Sequence, residues 1–190
     1  SLPCCVSEAF QAVREAGRGS GVRLGIHTHN DCGLAVANSI EAVRQGAAMV
    51  QGTINGYGER CGNADLITLI PILTVKMERP CVTMENLKKL RGLSRFVSET
   101  ANIVPLNTRP FVGKSAFAHK GGIHVSAVIK DPSAYEHIDP ALVGNARNVL
   151  ISDLSGKSNI EYKAREMGME IGGNGHDSGK IVQEIKNLEQ

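Results

Sequence analysis

Apolar side chains recur at helical spacing from Val6 through Phe10 and Val13 to Ala16, and Gly17 and Gly19 end the run. This pattern predicts a first helix over residues 6–16. Residues 22–29 form a short apolar stretch of strand length. Gly33 opens a second helical pattern with Leu34, Ala37, Ile40, Val43 and Ala47 on one face and Gly46 at its close. Residues 49–53 are again strand-like, 54–62 are a glycine-rich loop, and Asn63 or Asp65 is placed to cap a third helix running to Lys76. Short strands alternating with longer helices predict parallel strands joined by crossover helices, an α/β sheet or barrel. Two strands cannot bury three such helices, so the pattern calls for further strands beside them.

Pro80 interrupts this order, and Thr83 is placed to cap an amphipathic helix marked by Leu87, Leu90, Leu93, Phe96 and Val97 and ending near Ala101. Residues 103–110 read as an extended linker with two prolines. Residues 116–129 read as mostly helical, with the pair Gly121-Gly122 in the middle inviting a kink or a close backbone approach. Asp139-Pro140 begins a turn, 154–159 is a polar loop, 160–167 a short helix, and 172–175 a glycine-rich hinge. A further helical pattern occupies the last residues to Gln190. The chain opens without Met directly ahead of a helical pattern, which reads as the continuation of a longer protein.

Composition narrows the picture. With 42% hydrophobic and 21% charged residues, the 190-residue chain is of ordinary globular type, which excludes disordered and collagen-like readings. The net charge is only +2, and no basic cluster is interleaved with aromatics, so no nucleic-acid partner is expected. The longest apolar stretch, 66–75, is about half of the roughly 20 residues a membrane span needs, so no membrane partner is expected either. Five cysteines without a Cys-x-x-Cys pair point to free thiols in a reducing compartment, the cytoplasm.

Candidate chemistry concentrates at the end of the first strand, in Gly25-Ile26-His27-Thr28-His29-Asn30-Asp31. Strand alternation puts His27 and His29 on one face, about 7 Å apart along the chain, where two imidazoles can share one metal ion. Taken alone, the motif fits equally a hydrogen-bonded histidine pair in a turn. The loop after the second strand, Asn55-Gly56-Tyr57-Gly58-Glu59-Arg60-Cys61-Gly62-Asn63, leaves the sheet at the same end and changes that balance. Its glycines let backbone approach a ligand, Glu59 and Arg60 bring charge, and Asn63 offers a hard oxygen to a cation. The plainer reading is a Glu59-Arg60 salt bridge and an Asn63 helix cap.

The segments GIHTHNDCGLAVANS and GTINGYGERCGNADL resemble strands seven and eight of the barrel in the isopropylmalate, homocitrate and citramalate synthase family. SAFAHKGGIHVSAV, LVGN and SDLSGKSNI resemble the small subdomains that follow that barrel, so the resemblance runs over residues 1–171. TINGYGERCGNADL and FAHKGGIHVSAVIKDPSAYEHIDPALVGN are most similar to the branch that uses pyruvate, the citramalate synthases.

The resemblance implies an α/β chain comprising the C-terminal portion of a (β/α)8 barrel and small, mainly helical subdomains. Residues 1–80 would be barrel, 81–102 a helix closing it, 103–171 the subdomains on the acetyl-CoA side, and 172–190 a linker with the start of another helix. It implies a divalent metal ion (Mn, Zn or Mg) held by His27, His29, Asn63 and an aspartate upstream of Ser1, so that the 190-residue chain alone is expected to be inactive. The implied reaction condenses acetyl-CoA with a 2-oxo acid, pyruvate first, in branched-chain amino-acid biosynthesis. His124 resembles the subdomain histidine associated with acetyl-CoA activation, Glu59 is the candidate to orient or assist it, and Tyr135 is the candidate contact on the CoA side. Where some relatives have Asp two residues after that histidine, this chain has Ser126, which cannot carry the charge. A homodimer in which His124 acts on the partner's barrel is also implied.

Alternatives are isopropylmalate or homocitrate synthase activity, or a non-catalytic metal- or CoA-binding piece. A lyase of the hydroxymethylglutaryl-CoA type shares His-x-His but has a glycine-rich cysteine loop that is absent here. His119-Lys120 reads as a solvated basic pair, Cys4-Cys5 as helix packing, and Gly156-Lys157-Ser158 lacks the leading glycine of a phosphate loop because Ile151 stands there.

Overall fold

The structure is a computed structural model that describes residues 1–151, 156–168, 180–184 and 187. Two three-residue strands, β1 (Gly25–His27) and β2 (Met49–Gln51), run parallel in the register Gly25↔Met49, Ile26↔Val50, His27↔Gln51. Helix α1 (Pro3–Ala16) precedes them, and α2 (Ala35–Arg44) is the crossover between them. Pro3 sits in the first turn of α1, where a missing N–H costs nothing. Val6 and Phe10 of this helix pack with Ala42 against Leu24, Ile26 and Ala47.

Both strands are shorter than the apolar stretches that encode them, because residues 62–64 fold back across the strand ends. Ala64 N donates to Thr28 O at 3.1 Å, Asn30 N to Gly62 O at 2.8 Å, and Thr53 N to Ala64 O at 3.0 Å. The inward face of helix α2 is partly the expected one: Val43 is buried and Ile40 and Ala47 pack against the core, but Ala35, Asn38, Ser39 and Ala42 are buried as well, while Leu34 and Ala37 are partly exposed. Ser39 Oγ donates to Ala35 O (2.8 Å) and Asn38 Nδ2 to Ser1 O (3.1 Å), while Asn38 Oδ1 is buried without a hydrogen-bond partner.

Helix α3 (Leu66–Pro71) is capped by Asp65, whose Oδ1 accepts from Ile67 N at 2.9 Å. It continues as a π-helical turn over Ile72–Lys76, a register change next to Pro71, which has no N–H to donate. The helix expected over 83–101 is two: α4 (Met84–Leu87), capped by Thr83, and α5 (Leu90–Thr100). Leu87, Leu90, Ser94 and Ser98 face inward, whereas Leu93 is 39% and Phe96 65% exposed. Asn55 turns the helix this way: its Nδ2 donates to Ser94 O (2.9 Å) and Ser98 Oγ (3.0 Å), and its Oδ1 accepts from Ser94 Oγ (2.6 Å).

One apolar core joins these helices to the rest of the chain through Ile67, Leu87, Leu90, Phe111, Phe117, Ile138 and Val143. Beyond the 103–110 segment, β3 (Ala118–His119) pairs in parallel with β4 (Asn148–Val149). Helix α6 (Gly122–Lys130) packs near α7 (Lys157–Glu166). The glycine pair therefore starts α6 instead of interrupting a helix over 116–129. The reason is the close approach the pair allows: a Cβ on Gly122 would lie 2.9 Å from Gly156 N. Helix α7 begins ahead of the expected residue 160, stabilised by buried Asn159, whose Oδ1 accepts from Gly156 N and whose Nδ2 donates to Lys120 O and Leu150 O. The 172–175 hinge and most of the final helical pattern lie outside the described residues. Among the described residues no helix is long and apolar enough to cross a membrane.

Candidate functional site

At the C-terminal end of β1 the rings of His27 and His29 lie with centroids 5.2 Å apart and planes at 74°. Both residues are exposed at the strand end. Two imidazoles bound to one ion, with metal–nitrogen distances of about 2.0–2.1 Å, have ring centroids roughly 5 Å apart at a tetrahedral angle, so the observed spacing fits a shared cation. Asn63 forms an antiparallel bridge with His29, which brings its backbone directly alongside.

Its side chain carries the more telling feature. Asn63 Nδ2 donates to Tyr57 O at 3.3 Å, while Asn63 Oδ1 is buried and has no hydrogen-bond partner. A buried carbonyl oxygen without a donor is unfavourable by about 1–3 kcal/mol unless something else satisfies it. A hard cation is such a partner. Since Asp65 provides the α3 cap, helix capping does not account for Asn63. Among the described residues no three His, Cys, Asp or Glu side chains gather as a metal cluster, so the donors present are two imidazoles and one carboxamide.

Glycine is required where this loop folds on itself. Gly62 has φ +87°, and a Cβ there would strike Gly56 O; a Cβ on Gly58 would strike the Asn63 amide. Across the loops, Arg60 Nε and Nη2 donate to the two carboxylate oxygens of Asp31 at 2.8 and 3.0 Å. The hydrogen bond from Arg60 holds the Asp31 carboxyl below its ordinary value, and the same bond raises Arg60. Glu59 lies 3.5 Å from Arg60 Nη1 with its side chain 79% exposed. Among the described residues it makes no hydrogen bond or ion pair with His124.

His124 lies in the first turn of α6, exposed, with the Tyr135 ring 4.5 Å away and tilted by 36°. The structure thus brings together His27, His29 and Asn63 as one group and His124 and Tyr135 as another. Two polar groups escaped the sequence reading. His119 is buried and lies 3.1 Å from Glu136 Oε1, so it is not a solvated basic residue beside Lys120. Glu136 is also held by Arg147 Nε and Nη2, each at 2.6 Å. Burial acts to raise the Glu136 carboxyl, but the hydrogen bonds from Arg147 and His119 outweigh it and leave the group below its ordinary value. The other group is Asn55 with Ser94 and Ser98. Its only trace in the sequence is Ser at both positions, four residues apart, on an apolar helix face.

The fold defines the C-terminal portion of an α/β barrel followed by small, mainly helical subdomains. The chain belongs to the HMGL-like family, whose model matches residues 2–97, and residues 111–190 match the homocitrate synthase post-HMGL domain-like model. It is 52% identical over 182 residues to an (R)-citramalate synthase of Geobacter sulfurreducens, covering 96% of this chain and 34% of that protein. It is 50% identical to an (R)-citramalate synthase of Synechocystis sp., covering 100% of this chain and 36% of that one. A homocitrate synthase of Pyrococcus horikoshii is 40% identical over 149 residues, 78% of this chain and 40% of that protein. The chain spans about a third of the length of the two citramalate synthases.

Proposed function

We propose that the protein containing this chain is an acyltransferase that condenses acetyl-CoA with pyruvate to give citramalate. The observation that carries the reading is the unpartnered, buried Oδ1 of Asn63, a residue bridged through its backbone to His29, whose ring lies 5.2 Å from that of His27. The identity to (R)-citramalate synthases supports the choice of substrate.

In this reading His27, His29 and Asn63 hold a divalent cation, Mn, Zn or Mg. When bound, the cation supplies Lewis acidity that polarises the keto carbonyl of the 2-oxo acid. The Asp31–Arg60 pair keeps the two loops that carry these ligands together. His124 accepts a proton from the methyl carbon of acetyl-CoA as general base, and Tyr135 holds its ring and borders the CoA. The resulting acetyl-CoA enolate forms a carbon–carbon bond to the keto carbon of pyruvate. Water then cleaves the thioester, releasing CoA and citramalate. Glu59 orients or assists His124 from the barrel loop of a partner copy, which fits its exposure.

We read residues 1–80 as barrel, 81–102 as the closing helix and 103–171 as the acetyl-CoA side. The free, exposed cysteines fit a reducing compartment, the cytoplasm, and the homodimer is carried over from the family resemblance. The test offers the full-length protein acetyl-CoA with pyruvate, 2-oxoisovalerate or 2-oxoglutarate and follows thiol release. Pyruvate should give the highest kcat/KM. Release only with another acid, or with none, overturns the assignment.

A further inference from the structure

Outside the metal-site loops, the most deeply buried charge in the described chain is the Glu136 carboxylate, whose side chain is 2% exposed. Both of its oxygens are used: Oε1 by Arg147 Nε and His119 Nε2, Oε2 by Arg147 Nη2. Arg147 in turn reaches Tyr162 of α7. Buried ion groups of this kind are a poor way to gain stability. Desolvation offsets most of the attraction, and an apolar replacement of the whole group is often neutral or better. What such a group does supply is a fixed geometry between the chain segments it joins.

Those segments are the two that carry His124 and Tyr135. Glu136 follows Tyr135 directly, and its N–H donates to Pro132 O at 2.9 Å, as Tyr135 N does at 3.2 Å, so the turn over Pro132–Ala134 moves with it. His119 ends β3, three residues before α6 begins at Gly122, and His124 is the third residue of that helix. Arg147 lies next to β4, the partner of β3 in the register His119↔Val149. His124 and Tyr135 are both exposed and touch each other through their rings. Their relative position is therefore set by the backbones beneath them.

We infer that Glu136 is a positioning residue: through His119 and Arg147 it ties the first turn of α6 to the Tyr135 turn and so holds the His124 imidazole against the Tyr135 ring. The inference rests on the proposed role of His124 only for its kinetic consequence. The joining of the two segments stands on geometry alone.

The experiment uses the full-length protein with ¹³C-labelled histidine. The His124 resonance in wild type carries the ring-current shift of Tyr135, and Tyr135→Leu gives its position without that ring. Glu136→Gln keeps the volume and removes the charge. It should move the His124 resonance toward the Tyr135→Leu position and lower kcat roughly 10- to 100-fold, the usual consequence of a displaced catalytic group. Divalent-cation affinity at His27 and His29 should stay within about twofold of wild type. Glu136→Asp, which retains the charge, should recover part of both effects and serves if the Gln variant does not fold. An unmoved His124 resonance in a folded variant overturns the inference. So does an activity loss that only tracks loss of folded protein. A moved resonance in a protein that never condenses acetyl-CoA, wild type included, leaves the positioning role standing and removes the proposed reaction.

Discussion

Arg60 grips both carboxylate oxygens of Asp31, at 2.8 and 3.0 Å, across 29 positions of sequence. The contact closes the loop after β1 against the loop after β2, so the residues bearing the candidate ligands are fixed by a side-chain clamp as well as by the Asn30 N to Gly62 O hydrogen bond. Arg60 sits at φ +57°, a left-handed backbone position that is unfavourable for a non-glycine residue and is sustained by the bidentate contact.

Asp31→Ala should therefore weaken divalent-cation binding by the full-length protein about 10- to 100-fold, the usual effect of losing a group that orients metal ligands. The clamp is half exposed, so global stability should change little. Calorimetric titration with Mn²⁺ and a thermal melt separate the two effects. Unchanged affinity would mean that the clamp serves no ligand.

Asn63 makes the opposite kind of test. A structural asparagine loses stability when truncated, but here truncation removes only the long 3.3 Å bond from Nδ2 to Tyr57 O and relieves a buried Oδ1 that has no donor to lose. Asn63→Ala should leave the metal-free melting temperature unchanged or raised, while cation affinity falls at least about tenfold. A lower melting temperature with intact affinity would assign Asn63 to structure.

The carboxyl of Glu136 ionises below its ordinary value of 4.5 in the fold. A depressed carboxyl contributes stability above its unfolded value and loses it as pH falls through the folded one. Wild type should lose stability on acidification below about pH 4.5, and Glu136→Gln should lack that part of the slope. Denaturant melts on either side of that pH measure it, and parallel curves for both proteins would refute the linkage.

Two glycines should respond with opposite sign. A Cβ at Gly122 meets the Gly156 backbone at 2.9 and 3.1 Å, and Gly122→Ala should destabilise by about 1–3 kcal/mol. Nothing lies within 4 Å of a Cβ at Gly92, inside α5, so Gly92→Ala should stabilise by about 0.5–1 kcal/mol. Thermal melts of the two variants decide both.

The alternating apolar stretches and helical runs made the parallel β1–α2–β2 order legible, because period-two and period-3.6 patterns report local geometry. The faces of α2 and α5 were legible only in part. Ser39, Ser94 and Ser98 look like solvent positions until Ala35 O and Asn55 satisfy their hydroxyls, and those partners lie up to 43 residues away. Gly121-Gly122 announced a close approach but not its partner, Gly156, across the unit. His27, His29 and the Asn63 loop could be named from spacing, whereas the orphaned Oδ1 and the Asp31–Arg60 grip required coordinates. His119 beside Lys120 reads as surface in sequence. Its burial depends on Glu136 and Arg147, 17 and 28 residues on, which no local pattern encodes.

The most direct measurement is pulsed electron paramagnetic resonance of the full-length protein loaded with Mn²⁺. The spectrum should show coupling to two imidazole nitrogens, with one lost in His27→Ala and the other in His29→Ala. A Mn²⁺ signal without nitrogen coupling, or with coupling unchanged in both variants, contradicts the site.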